Sequence, residues 1–207
     1  ITLDDLQKLG EELLAKEPNV VEERMEGIQP EHLATLIYTS GTTGPAKGVR
    51  LPHSAWAYEA AAVDSTGLLN SDDVQYLWLP LAHVFGKMLL CLPMQVGFPT
   101  VVDGRVDKIV ENLPETKPTW MGAAPRIFEK VYARINGMME ADGGVKLKLY
   151  KWSVGVGMQV AEARAQGHEP SGALATKYKL ADKLVLAKIR DRFGGQIRYF
   201  ISGSAAL

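Results

Sequence analysis

Apolar positions change their spacing about thirty residues into the chain. Four leucines, at positions 6, 9, 13 and 14, recur at helical spacing, which predicts a first helix. The acidic stretch Glu17–Pro30 contains Pro and Gly and predicts a connector. Leu33–Tyr38 is then a short apolar run before a glycine-rich loop, a pattern that favours a buried strand. We therefore divide the chain into a helix with its connector, residues 1–32, and a second region, residues 33–207.

Short apolar runs then alternate with helical patterns. Strands are predicted at 48–51, 74–79, 100–102 and 119–121, and helices at 54–62, 88–96 and 106–113. Such alternation is typical of an α/β fold, with a layered, largely parallel sheet flanked by helices.

After Pro125 the pattern is helical almost without interruption. Gly143–Gly144 and the glycines between 167 and 172 separate the helices, and the last one, from about Ala173 to Arg192, ends at Gly194–Gly195. Residues 197–201 predict a strand that returns to the sheet.

Composition narrows the class of protein. The chain has 207 residues, 46% of them hydrophobic, which is enough for a sizeable core. A net charge of −1 gives no general reason to expect nucleic-acid binding. The single cysteine, Cys91, cannot form an internal disulfide, and we expect a reducing, cytoplasmic location. The sequence has no initiator Met or signal-peptide pattern, so we expect it to be part of a longer protein.

The residues most suited to binding a ligand are concentrated directly after the predicted strand at 33–38. Residues 39–48 combine four hydroxyls, three glycines and one lysine. Glycines allow the backbone to approach a ligand closely, successive N–H groups can bind an anion, and hydroxyls and lysine can contact phosphate oxygens. A flexible turn between two strands is the alternative for a shorter string of this kind. The sequence is not a Walker A motif, because Ala46 precedes Lys47 and Gly48 follows it.

The string Tyr38–Val49, Y-T-S-G-T-T-G-P-A-K-G-V, closely resembles the phosphate-binding motif of the adenylate-forming superfamily. That superfamily includes acyl-CoA synthetases, luciferases and peptide-synthetase adenylation domains. The resemblance implies ATP, Mg²⁺ and CoA as ligands and a catalytic role for Lys47. It also implies that the β- and γ-phosphates contact Thr39, Ser40, Gly41, Thr42, Thr43, Gly44 and Lys47.

Leu79–Gly86 resembles the next motif of the superfamily. The resemblance implies that His83 is catalytic and lines the site of the α-phosphate and carboxylate, with Val84 beside it and Phe85 beside the acyl pocket. A lone histidine in an apolar stretch is more often packed or partly exposed than catalytic. Some members have a tryptophan gate four positions after this histidine, where this chain has Lys87.

Two further segments resemble motifs beside the nucleotide and acyl pocket. Met121–Glu129 resembles a strand-to-helix turn beside the acyl tunnel, and it makes Gly122 a candidate lining residue. Ile201–Leu207 resembles the small-residue loop against adenine, and it makes Gly203, Ser204 and Ala205 candidates. Small residues serve close packing equally well.

The helices between about 136 and 193 resemble the insertion of long-chain fatty acyl-CoA synthetases. The insertion is rich in Lys and Arg. Such residues most often form a solvated helix face. Contact with an anionic membrane surface or with the phosphates of CoA is the open alternative.

These resemblances predict part of an ATP-dependent ligase that converts a long-chain fatty acid to acyl-adenylate and transfers it to CoA. An acyl-AMP ligase, a non-catalytic nucleotide-binding module and a plain α/β domain remain as alternatives. The superfamily's Mg²⁺-binding glutamate, its ribose-binding aspartate and its C-terminal catalytic lysine have no counterpart before Leu207. We therefore expect the chain to be inactive alone.

Overall fold

The first of two units in the chain consists of two helices and a β-hairpin. The computed structural model describes residues 1–39 and 44–203, and their contacts divide the chain into Ile1–Glu59 and Ala60–Leu207. The first unit contains α1 (Leu3–Lys16), α2 (Val20–Glu26), β1 (Leu33–Thr39), β2 (Lys47–Pro52) and the first half of α3 (His53–Ser65). The division that the sequence predicts after residue 32 stays a prediction.

Helix α1 begins with a capping box. The Thr2 hydroxyl accepts a hydrogen bond from the Asp5 backbone N–H at 3.2 Å, and the Asp5 carboxylate accepts one from the Thr2 N–H at 2.9 Å. These two bonds satisfy N–H groups that have no partner inside the helix. The predicted connector after α1 is not wholly irregular, because it contains the seven-residue helix α2.

Strands β1 and β2 pair antiparallel, with Tyr38 opposite Gly48 and Thr39 opposite Lys47. The prediction of a buried strand at 33–38 is wrong in one respect, since Ile37 is the only buried residue of β1. The apolar run indicates a strand correctly. Burial of both faces would require covering layers, which the pattern of a short run does not itself predict.

The second unit contains a four-stranded parallel sheet, which confirms the predicted fold class. Its strands are β3 (Gln75–Leu77), β4 (Thr100–Val102), β5 (Trp120–Ala123) and β6 (Tyr199–Ser202), in the spatial order β4-β3-β5-β6. The helices between the strands are α4 (Val84–Val96), α5 (Ile109–Thr116), α6 (Pro125–Asp142), α7 (Gly144–Ala165), α8 (Gly172–Ala181) and α9 (Ala187–Asp191). A 3₁₀ turn (Val106–Lys108) precedes α5, and a π turn (Asp182–Leu186) joins α8 to α9.

Side chains alternate between the two faces of this sheet. Leu77 and Trp120 pack on one face with Leu89 of α4, and Phe98 meets the Trp120 ring edge-on at a centroid distance of 5.4 Å. On the other face, Tyr76, Trp78, Met121 and Ala123 pack with Ile109 and Leu113 of α5. Both faces are therefore covered by helices, as parallel sheets require.

The amino ends of the strands are tied together by one buried carboxylate. Asp73 is 1% exposed, and it accepts hydrogen bonds from the Thr119 hydroxyl and the Arg198 guanidinium, both at 2.5 Å, and from the Asn70 N–H at 2.9 Å. Burial acts to raise the pKa of Asp73, but these hydrogen bonds outweigh it and hold the pKa below its ordinary value. The loops before β3, β5 and β6 thus share one polar cluster.

The helices after α6 form a layer of their own. Helix α7 packs against α8 and the π turn, and the Tyr150 hydroxyl on α7 donates to the Asn136 side chain on α6 at 2.7 Å. The layer ends against α5 at Gly194, where a Cβ would lie 2.6 Å from the Leu113 carbonyl oxygen. A positive φ of 89° adds a second reason for glycine at this position.

Candidate active site

The predicted phosphate loop connects the two strands of the hairpin. Its ends are held together, because Thr39 and Lys47 are paired in the ladder and the Thr39 hydroxyl lies 3.4 Å from the Lys47 carbonyl oxygen. At Gly48 a Cβ would lie 3.3 Å from the Tyr38 ring, so glycine lets this ring lie across the strand. Gly44 and Lys47 are exposed to solvent. Ser40, Gly41, Thr42 and Thr43 lie outside the described residues, and their predicted roles stay predictions.

The carboxyl edge of the parallel sheet is the second candidate region. From β3 the chain passes through α4 to β4 on one side, whereas from β5 it passes through α6–α9 to β6 on the other side. Open α/β sheets bind ligands at such a switch point, outside the carboxyl ends of the two diverging strands. The Trp78 indole N–H bridges this point by donating to the Gly122 carbonyl at 3.0 Å.

His83 lies at this edge and caps α4. The His83 Nδ1 accepts a hydrogen bond from the Phe85 backbone N–H at 3.2 Å, and the His83 backbone N–H donates to the Pro80 carbonyl at 3.0 Å. Because Nδ1 accepts, the proton of the neutral ring is on Nε2, where it can be donated to a ligand oxygen. The residue is exposed, so the ring is accessible to such a ligand. The cap and the predicted catalytic role therefore use opposite sides of one imidazole.

Gly86 sets how closely the first turn of α4 approaches the loop that carries His83. A Cβ at this position would lie 2.4 Å from the Pro80 carbonyl oxygen and 3.0 Å from that of Leu79. Since both atoms belong to the backbone, neither can move away without displacing the loop. Sequence reasoning missed this role, although a glycine inside a helical pattern indicates a packing constraint.

Phe85 and Gly203, predicted from two separate motifs, lie together. A Cβ at Gly203 would make ordinary contact with the Phe85 ring at 3.5 Å. Parallel pairing of β5 with β6 places Ser202 opposite Ala123, so Gly203 follows at the carboxyl edge. The Ser202 hydroxyl is buried there with no described hydrogen-bond partner. Ser204 and Ala205 lie outside the described residues, and their roles stay predictions.

Gly122 serves close packing, which the sequence left open as an alternative to contact with a ligand. Its missing Cβ would lie 2.3 Å from Cδ1 of Leu89, a fully buried side chain of α4. Glycine at this strand position thus lets α4 pack tightly on β5. Its predicted contact with a ligand stays a prediction. Val84 is exposed, and Lys87 is half-buried in the first turn of α4.

A charged cluster at the end of β4 was not singled out from the sequence. Asp103 accepts hydrogen bonds from Nε and Nη2 of Arg105 at 2.9 and 2.6 Å and from the Asn112 amide at 2.6 Å, and that amide also reaches the Tyr76 hydroxyl. The Arg105 guanidinium holds the pKa of Asp103 well below its usual range. The short Asp–Gly–Arg spacing was the available signal. The cluster joins β4 to α5 at the carboxyl edge.

Metal ligands are not concentrated in the part of the chain that the structure describes. Within residues 1–39 and 44–203, no group of three or more His, Cys, Asp or Glu side chains could hold a metal ion. The glutamate that the resemblance implies as a magnesium ligand is not part of this sequence and stays a prediction.

Similarity to known proteins shows which family the chain belongs to. The profile of the family described as AMP-binding enzyme matches residues 1–207. The chain belongs to the AMP-binding enzyme family. The match includes both the hairpin loop and the carboxyl edge, so the resemblance of the separate motifs extends to the whole chain.

Two relatives show how the chain compares with longer proteins. A Mycobacterium tuberculosis protein that bears the name fatty-acid–CoA ligase fadD11 is 36% identical over 190 residues, which are 90% of this chain and 33% of that protein. A peroxisomal protein of Arabidopsis thaliana named long chain acyl-CoA synthetase 6 is 32% identical over 183 residues, 86% of this chain and 24% of that protein. The chain thus spans a third or less of the length of these relatives.

A solved structure supports the fold. The adenylation domain of a carboxylate reductase from Mycobacterium chelonae superposes with a TM-score of 0.57 at 22% identity, over 86% of this chain and 24% of that chain. At this level of identity the likeness concerns the architecture, which agrees with the parallel sheet and its covering helices.

Proposed function

We propose that this chain is the central part of an ATP-dependent ligase that activates a long-chain fatty acid as acyl-adenylate and transfers it to CoA. The observation that carries the proposal is the hairpin loop, with Thr39 and Lys47 fixed at its ends. Family membership supports ATP as the nucleotide. The names of the two relatives support a fatty acid as the other substrate.

In this proposal the hairpin loop binds the β- and γ-phosphates of ATP. The fatty carboxylate attacks the α-phosphorus, and the bond to pyrophosphate breaks as the acyl–phosphate bond forms. Lys47 and the loop hydroxyls neutralise the charge on the leaving pyrophosphate. Little covalent chemistry falls to the protein, so positioning and charge stabilisation dominate the rate.

His83 acts at the reacting carboxylate. Its Nε2 proton can be donated to an oxygen of the carboxylate or of the α-phosphate, because Nδ1 is held by the Phe85 N–H. A donor aimed at developing negative charge lowers the barrier more in a fixed orientation than in water. The cap supplies that orientation before any substrate binds.

The acyl chain would lie beside Phe85 and Gly203. These residues present an aromatic ring and a position without a side chain, 3.5 Å apart at the missing Cβ. A larger residue at 203 would fill the space next to the ring. In the second step, the CoA thiol displaces AMP from the acyl-adenylate and gives the thioester.

Product analysis tests this proposal on the longer protein that contains the chain. With ATP and fatty acids of increasing length, we expect AMP release that requires a long-chain acid, and acyl-CoA when CoA is the acceptor. Transfer to an acyl carrier protein in place of CoA would identify an acyl-AMP ligase. ATP binding without any acyl-adenylate would identify a non-catalytic module, and either result would contradict the proposal.

A further inference from the structure

Charge is distributed unevenly along the chain. Residues 144–195 contain ten basic and four acidic residues, a net charge of +6, whereas the rest of the chain carries −7. The near-neutral total therefore conceals a strongly basic helical layer, which comprises α7, α8 and α9. The proposed ligase chemistry uses none of these residues.

Contacts show which side of α8–α9 faces inwards. Tyr178, Leu186 and Ile189 line a cavity of about 380 Å³ against α7, and Ala181 is fully buried. The opposite side is exposed. We call it the basic face, and it consists of Lys177, Lys179, Leu180, Lys183, Leu184 and Lys188.

The lysines of the basic face are not used in ion pairs. None of the salt bridges in the described part of the chain involves them. The nearest acidic residue in sequence, Asp182, is already bound by Arg190 through two hydrogen bonds at 2.6 and 2.9 Å. The positive charge of this face is therefore free to attract an external anion.

Two exposed leucines lie among the lysines of the basic face. Leu180 is 51% exposed and Leu184 is 37% exposed, one helical turn apart between the lysines. At a membrane surface, basic side chains bind anionic head groups and nearby apolar side chains can reach the acyl boundary.

The length of the basic face favours a surface over a single phosphate group. From Lys177 to Lys188 the helix advances by about 16 Å at about 1.5 Å per residue. Charges spread along a row of this length match many lipid head groups at once, whereas one phosphate needs converging donors. No helix in the described ranges, residues 1–39 and 44–203, is long and apolar enough to cross a bilayer.

We propose that the basic face of α8–α9 docks the protein on an anionic membrane surface, with the lysines at the head groups and Leu180 and Leu184 at the acyl boundary. This contact is independent of the proposed ligase activity, because it requires neither ATP nor a fatty acid. Failure of one proposal leaves the other open to its own test.

Vesicle cosedimentation tests the contact on the longer protein that contains the chain. The wild type should bind vesicles that contain phosphatidylglycerol and should not bind pure phosphatidylcholine vesicles. Binding should fall between about 0.01 M and about 1 M salt, where the Debye length shortens from about 30 Å to about 3 Å. Replacing both Lys183 and Lys188 by Ala should lower the partition coefficient roughly 25-fold, at about fivefold for each lysine near the surface.

Matched variants separate the basic face from total charge. The pair Lys8→Ala and Lys16→Ala removes the same charge from α1 and should leave binding unchanged. The pair Leu180→Ser and Leu184→Ser should weaken binding while preserving its salt dependence. No binding to anionic vesicles at low salt would overturn the proposal, as would equal losses in the α1 and basic-face variants with unchanged circular dichroism.

Discussion

The two edges of the parallel sheet are built for different tasks. At the amino edge, buried Asp73 is surrounded by Thr119, Arg198 and the Asn70 N–H, and its hydrogen-bonding capacity is used inside the protein. At the carboxyl edge, His83 is exposed and only one of its ring nitrogens is engaged. The first edge fixes the strands, and the second keeps polar groups available.

This difference lets one sheet combine a fixed amino edge with accessible polar groups at its carboxyl edge. The loops before β3, β5 and β6 share hydrogen bonds to Asp73, which tie the amino ends of these three strands together. The carboxyl edge can then carry loops of small residues, such as Gly203, without losing its shape. Sites placed on a rigid scaffold hold their geometry better than sites on free loops.

The largest effect on stability is expected from removing the carboxylate that ties the strands together at the amino edge. Asp73→Ala should lower the free energy of unfolding by about 3 kcal/mol, because it removes the shared acceptor of the cluster and leaves Arg198 without its partner. The guanidinium side chain is 44% exposed and can be hydrated, which keeps the loss at the lower end of the range for buried pairs. Urea denaturation measures it. Asp72→Ala, at the exposed neighbouring position, should change stability little, and equal losses would contradict the role of the cluster.

At the carboxyl edge, two substitutions of His83 separate capping from catalysis. Asn can accept the Phe85 N–H bond in place of Nδ1, so His83→Asn should keep the stability that His83→Ala loses, about 1 kcal/mol. Both variants remove the imidazole donor and should lower the adenylation rate about 100-fold, or about 2.7 kcal/mol. Pyrophosphate exchange and thermal denaturation measure the two effects. Recovery of the rate by Asn would show that His83 only caps α4.

Glycine 86 tests how closely α4 must approach the loop before it. Gly86→Ala should destabilise the protein by about 2 kcal/mol, because its Cβ would overlap the Pro80 carbonyl oxygen. That loss corresponds to a fall in melting temperature of roughly 4–8 °C for a chain of this size. Gly137→Ala lies inside α6 with open space around it, and should instead stabilise the helix. A melting temperature that Gly86→Ala leaves unchanged would contradict the close approach.

The smallest effect on the free energy of unfolding is expected from lowering the pH. The pKa of Asp73 in the folded chain is below its ordinary value of 3.8, so its contribution to stability is present above that value and is lost as the pH falls through the folded pKa. Protonation keeps the side chain in place, so the loss is smaller than that of Asp73→Ala. Denaturation from pH 7 downwards should show a shallower decline in Asp73→Asn than in the wild type. Parallel curves would exclude Asp73 as a source of the acid dependence.

Patterns along the sequence predicted most of the second unit. Alternating apolar runs located all four strands of the parallel sheet, and the helix predicted at 88–96 forms the later part of α4, which begins at Val84. These elements are predictable because each is either a short apolar run or a helical pattern, with glycine or proline close to its end. The burial of β1 was harder to predict, because the apolar run at 33–38 indicates a strand but does not show which elements cover it.

The roles of individual glycines could not be read from the sequence. Gly122 and Gly86 serve close packing against Leu89 and the Pro80 carbonyl, respectively, and such contacts depend on tertiary distances. The Asp73 cluster joins residues that are 46 and 125 positions apart. The local spacing of apolar and polar residues does not indicate which residues so far apart in sequence form hydrogen bonds. The sequence predicted candidates for chemistry through motifs, and packing determined how they are held.

A substitution of Lys47 shows whether the hairpin loop binds the phosphates of ATP during adenylation. The measurement is fatty-acid-dependent ATP–pyrophosphate exchange by the longer protein that contains this chain, comparing wild type, Lys47→Ala and the α1 control Lys16→Ala. We expect Lys47→Ala to lower exchange about 100-fold, while Lys16→Ala exchanges at the wild-type rate. An unchanged rate in Lys47→Ala, or wild-type exchange that does not require fatty acid, would contradict it.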